Sequence, residues 1–187
     1  MTTEAAAPLG PQTVAFGTEQ EERPLATLRH GIVTTALAVR LAQYVGQHRL
    51  GVVLPPQNTY HLPIPQGSPV GGATAARSPE REPDLSFVAR DRVPADTDIE
   101  PHFAPDLAVV IISFTDAYGG IHARVQQYLA AGTRLVWVVN SYDESVTIYE
   151  LNAARPRTLT GTDVLDGGAI VPGFQVPVWQ LWATNAS

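Results

Sequence analysis

Residues 105–116 read PDLAVVIISFTD, and this stretch decides the fold. From 106 to 113, seven of eight positions avoid charge and five are β-branched or leucine. That composition predicts a central strand buried on both faces. Downstream, residues 117–131 place Ile121, Val125, Tyr128 and Leu129 on one helical face, with Gly132 as the stop. RLVWVVN (134–140) reads as a second buried strand. Strand, helix and strand with short links predict a crossover unit with two parallel strands. SVTIYEL (145–151) alternates as an edge or half-exposed strand does, after a hairpin turn at SYDE.

Upstream, DLSFVA (84–89) is another strand, followed by a polar loop over 90–104. GVVL (51–54) and TYHLPI (59–64) are short strand-like runs split by Pro55, Pro56 and Asn58. Residues 65–82 are dense in Pro, Gly, Ala and Ser, which predicts an exposed, mobile loop. Before them, Leu25, Leu28, Ile32, Ala36, Val39 and Val45 recur at three-to-four spacing, with Leu37 and Leu41 alongside. This predicts an amphipathic helix of about six turns from Pro24, ending near His48 and Arg49 ahead of Gly51. Residues 1–23 have only scattered apolar positions and read as a flexible arm. At the other end, GGAIVPGFQVPVWQLW (167–182) predicts a short strand, a Pro-Gly turn and a closing segment that packs Trp179 and Trp182. The expectation is one α/β domain over 24–187, a mixed sheet flanked by helices.

Composition narrows the chemistry. The 187 residues suffice for one domain with a proper core. The net charge of −6 has the wrong sign for broad capture of a phosphate backbone. All twelve basic residues are arginine, and they are scattered; a GC-rich genome would produce the same bias. Cysteine is absent, which excludes disulfides, thiolate metal sites and a cysteine nucleophile. No apolar run reaches the ~20 residues of a membrane span, and MTTEAAAPLGPQT lacks the regions of a signal peptide. A cytoplasmic protein with no membrane partner is expected. Ser113 lacks a Gly-x-Ser-x-Gly elbow, and GGATAA (71–76) lacks the features of a phosphate loop. His30, His102 and His122 show no spacing that would make a metal trio.

Four segments, in this order and with these gaps, carry a family resemblance: EPDLSFV (82–88), APDLAVVIIS (104–113), QQYLAAGTRLVWVVN (126–140) and VLDGGAIVPGFQVPVWQLW (164–182). Over roughly residues 25–182 the chain resembles the Uma-type restriction endonucleases of the PD-(D/E)xK nuclease superfamily. The resemblance implies a restriction-endonuclease-like fold. It also implies a Mg²⁺ ion held by an aspartate and a following acid, with a lysine steadying the attacked phosphate. The aspartate of the PD element falls on Asp84. The following acid falls on Val110, the intervening position on Ile111, and the lysine position on Ile112. The lysine that such proteins carry four residues before the tyrosine of the next helix falls on Arg124, ahead of Tyr128. Their aspartate after the valine-rich strand is Asn140 here, and an upstream acid in the first helix corresponds to Arg29, beside His30.

Asp84 and Arg124 are therefore the candidate catalytic residues, and Asp84 the candidate metal ligand. The plain alternatives are a strand-start aspartate capping a turn and a helix-surface arginine in an ion pair. Guanidinium does not deprotonate in proteins, so Arg124 can bind a phosphate oxygen but cannot act as a base. Asp106 lies four residues before Val110, about 13 Å along a strand, and cannot replace the missing acid. Glu80 and Glu82 could swing in from the adjoining loop. The leading reading is a family member that has lost metal-dependent DNA hydrolysis, needs no cofactor, and keeps a binding or assembly role. The alternatives are an active Mg²⁺-dependent endonuclease with a rearranged site, and a homodimeric interaction protein whose C-terminal tryptophans form the interface. The partners implied are DNA and a second copy of the chain.

Overall fold

The computed structural model describes residues 27–63, 78–112 and 118–183. The expected arm over 1–23, most of the expected loop over 65–82, and Ser113 lie outside them.

The chain opens with α1 (Leu28–His48). Thr27 caps its start by accepting the His30 N–H, and Arg49 closes it in a left-handed conformation. Then follow β1 (Gly51–Leu54), β2 (Tyr60–His61), β3 (Glu80–Arg81), β4 (Leu85–Ala89), β5 (Leu107–Ile112), α2 (Tyr118–Ala130), β6 (Leu135–Asn140), β7 (Ser145–Glu150), β8 (Arg157–Thr160), β9 (Val164–Asp166) and β10 (Gln175–Pro177). Six strands form one sheet in the order β1-β4-β5-β6-β7-β8. β5 and β6 run parallel, as the crossover pattern predicts, and the other neighbours antiparallel. β9 with β10 and β2 with β3 form two short ribbons.

Both faces of β5 are covered. Leu107, Val109 and Ile111 join a cluster with Val33, Leu37, Leu41 and Val45 of α1 and with Phe174 and Leu181 near the C-terminus. Ala108 and Val110 join a second cluster with Tyr60, Val125 and Tyr128. The alternation along one strand thus feeds two separate cores, because successive side chains point to opposite faces. Trp137 is fully buried and stacks on Phe174.

Several expectations need correction. The buried stripe of α1 is Val33, Leu37, Leu41 and Val45, a run at four-residue spacing. Leu28 and Val39 of the expected stripe are exposed, at 83% and 58%. The sequence holds two apolar stripes, and the sheet covers only one. β2 is two residues long, not six, and β3 falls inside the expected loop. The polar stretch after β4 begins with a 3-10 turn over Arg90–Arg92. β7 is not the edge of the sheet: β8, whose RTLT sequence brings only Leu159 to the core, pairs along it. In the closing turn Val178–Leu181, Val178 and Leu181 are buried while Trp179 is 50% exposed, so Trp179 does not pack inward. Among the described residues, no helix is long and apolar enough to cross a membrane.

Candidate functional site

The C-terminal ends of parallel strands are where open α/β sheets gather their functional groups. Here Ile112 of β5 pairs with Asn140 of β6 at that end, and the first turn of α1 arrives beside it. Arg29 Nη1 donates to the Ser141 carbonyl at 2.6 Å and lies 3.6 Å from Glu144. His30 Nε2 lies 3.2 Å from Asp84 Oδ1. Pro83 and Asp84 lead into β4 at the same end, so α1, β4, β5 and β6 converge there.

Asp84 is tied to β5 twice. Its N–H donates to the Val109 carbonyl at 2.9 Å. Its carboxylate Oδ2 accepts the Ile111 N–H at 2.7 Å. One carboxylate oxygen therefore meets a backbone donor and the other an imidazole, with the side chain 23% exposed. The β4–β5 register pairs Leu85 with Val109. One further step along this register sets Asp84 opposite Val110, the position where the family resemblance implies the second acid. Val110 is 1% exposed and belongs to the apolar cluster beneath α2.

α2 supplies the rest of the site. Arg124 is half-buried, one turn before Tyr128. The Tyr128 phenol is fully buried, and its oxygen has no hydrogen-bond partner among the described residues. Burial is the main cause that pushes its pKa well above the ordinary value of 10, while the charges of Arg124 and Arg81 pull it back and that of Asp84 adds to the rise. Asp84, Arg81 and Arg124 thus all lie within electrostatic range of one enclosed phenol, which stays protonated at neutral pH. Arg81 is held by a 2.6 Å bond from Nε to Gln127 of α2.

Among the described residues, this arrangement does not fit a Mg²⁺ centre. Magnesium favours octahedral oxygen coordination, commonly one or two carboxylates with waters and substrate phosphates. Asp84, the candidate ligand among the described residues, is already engaged by the Ile111 N–H and by the His30 imidazole, and it faces valine. Asn140 uses its side-chain oxygen to accept the Tyr142 N–H at 3.0 Å, closing a turn. Glu80 and Glu82 are engaged elsewhere: Glu80 lies 3.7 Å from His61, and Glu82 accepts from Thr59 at 2.8 Å. Arg81 and Arg124 thus set two guanidinium groups, which cannot act as bases, near a protected phenol.

Asp106 sits at the opposite end of β5, where the strand begins. Its carboxylate is fully buried and accepts the Ala89 N–H at 2.8 Å, Arg92 Nη1 at 2.7 Å and Arg134 Nη2 at 2.6 Å. Burial alone would raise its pKa; the Ala89 N–H and the two arginines outweigh that and hold it below the ordinary 3.8. Sequence reasoning said only that Asp106 cannot replace the missing acid, and it missed this knot. It also missed a cluster of His61, Glu100 and His102, which no local spacing reveals. His122 is exposed on α2.

A family model described as Uma2, putative restriction endonuclease, matches residues 16–179. Among solved structures, the crystal structure of a putative nuclease belonging to DUF820 from Anabaena variabilis matches with a TM-score of 0.70. That match covers 85% of this chain and 83% of the other at 14% sequence identity, a likeness of fold alone. No functionally curated protein matches the chain.

Proposed function

Because the chain belongs to the Uma2 family of putative restriction endonucleases, we propose that it is a nuclease-fold protein that has lost metal-dependent DNA hydrolysis and keeps a binding or assembly role. One observation carries the reading. The Asp84 carboxylate, the single acid left from the family's metal pair, is spent on the Ile111 N–H and on His30 and is opposed by buried Val110. Its role is then to clamp the start of β4 to the end of β5. Arg81 and Arg124 support a local contact with a phosphate of DNA, while the net charge of −6 restricts such binding to a small footprint. Half-exposed Trp179, with exposed Leu28 and Val39, supports assembly into a homodimer. A cytoplasmic location and the lack of a resident cofactor at Asp84 belong to the same proposal.

The test is plasmid nicking. Highly purified protein is incubated at high concentration with supercoiled plasmid and Mg²⁺ or Mn²⁺, beside an Asp84→Ala variant. The expected result is no nicking above the variant's background. Metal-dependent nicking that Asp84→Ala abolishes would overturn the proposal and establish an endonuclease with a rearranged site. A salt-dependent gel shift then identifies DNA binding as the retained role; its absence, with a dimer by light scattering, identifies assembly.

A further inference from the structure

We propose that His61, Glu100 and His102 bind a late first-row divalent cation such as Zn²⁺, at a site separate from Asp84. One ligand atom from each residue lies within 4.8 Å of the others. The segments that carry them are locked together. His61 sits on β2, paired across the ribbon with Glu80 of β3, and its backbone N–H donates to the Pro101 carbonyl at 2.8 Å. That bond holds the Glu100–His102 turn beside the strand, so the site is not an accident of two unconnected side chains.

Two of the ligand atoms already stand at the spacing of a metal shell. His61 Nε2 lies 3.1 Å from Glu100 Oε2. Two ligands on a tetrahedral zinc with bonds near 2.05 Å stand about 3.3 Å apart, so an ion can take the place of the hydrogen bond with little movement. The His102 ring stacks nearly parallel on the His61 ring, at 4.4 Å between centroids and 11° between planes, so it must turn out of the stack to aim its in-plane nitrogen at a shared ion. His102 and Glu100 are exposed and can close the remaining distance without disturbing the core. On the far side of His61, Nδ1 faces Glu80 Oε1 at 3.7 Å. A carboxylate behind a ligating imidazole is the outer-shell arrangement that fixes the ring and raises its basicity.

The donor set selects the ion. Two imidazoles and a carboxylate suit Zn²⁺, Co²⁺ or Ni²⁺, whereas Mg²⁺ and Ca²⁺ favour oxygen alone. Three protein ligands leave a fourth position for water.

The experiment titrates the metal-stripped full chain with Zn²⁺ by calorimetry and with Co²⁺ by visible absorption. Wild type is expected to bind one equivalent, with absorption bands of a low-coordinate Co²⁺. His102→Gln and Glu100→Gln, both at exposed positions, are expected to keep the wild-type melting temperature and to weaken binding at least about tenfold. Asp84→Asn is expected to leave affinity unchanged. Absence of binding, equal affinity in His102→Gln, or loss of binding in Asp84→Asn would each overturn the proposal, the last by moving the ion to the nuclease-like site.

Discussion

Replacing Val110 with glutamate rebuilds the acid that the family pattern calls for, and the structure sets the cost. Val110 is 1% exposed in a packed apolar cluster. A carboxylate placed there cannot stay charged without a partner, since burial raises its pKa. Asp84, directly across the strand pair, raises it further. The folded pKa then lies above the ~4.3 of the unfolded chain, so the folded state holds the extra proton and stability falls as pH rises. Each pH unit between the two values costs about 1.4 kcal/mol, which amounts to about 1 kcal/mol at pH 5 and about 3.7 kcal/mol at pH 7. Crowding by the longer side chain adds about 1–3 kcal/mol at either pH. Mg²⁺ bound between Asp84 and the new glutamate would reverse much of the loss, by about 2.7 kcal/mol at a hundred times its Kd.

Urea denaturation of wild type and Val110→Glu at pH 5 and pH 7, with and without Mg²⁺, reads all of these terms. The expected outcome is a destabilisation that grows with pH and shrinks with Mg²⁺ in the variant, with no Mg²⁺ response in wild type. A loss below about 1 kcal/mol that does not change with pH would mean that position 110 reaches solvent and does not face Asp84 from an enclosed site. A pH-dependent loss without a Mg²⁺ response would refute the idea that the valine alone removed the metal site.

Two further substitutions test the structural roles assigned to the acids. Asp84→Ala leaves the N–H of buried Ile111 without an acceptor and should cost about 1–3 kcal/mol, whereas Asp84→Asn keeps a side-chain oxygen there and should stay within about 1 kcal/mol of wild type by chemical denaturation. Equal losses in the two would sink the clamp role. Asp106→Asn removes the charge shared by Arg92 and Arg134; because these arginines are 36% and 47% exposed and can return to water, the expected loss is about 2–3 kcal/mol, below the 3–5 of a fully buried pair. Since Asp106 titrates below its ordinary 3.8, wild type should hold this advantage above about pH 4 and lose it as pH falls through the depressed value. A wild-type–variant difference that does not change as pH falls argues against the ion knot.

Much of the fold is legible in the sequence because its strongest signals are local. The apolar run at 107–112, the helical spacing of Ile121, Val125 and Tyr128, and the valine-rich run at 135–140 each specify one element, and their order specifies the crossover. β2 and β8 are not legible in this way. A two-residue strand has no period, and RTLT has a single apolar residue, Leu159, too little to show alternation, so neither declares itself before a neighbouring strand pairs with it. The choice between the two stripes of α1 has the same origin, since a helix cannot know which face the sheet will cover.

By itself the sequence determined the α/β architecture and the parallel pair at its centre, because these follow from the identity of residues and their spacing along one segment; the family resemblance then set Val110 where an acid is expected. Tertiary structure alone decided what Asp84 touches. Only the folded chain brings Ile111 and His30 within reach of its carboxylate, sets Val110 across from it, and gathers Arg81 and Arg124 around one buried phenol. The same holds for the Asp106 knot and for His61, Glu100 and His102. Their partners lie tens of residues apart, and charge, unlike hydrophobic periodicity, leaves no local trace of the neighbour that will neutralise it.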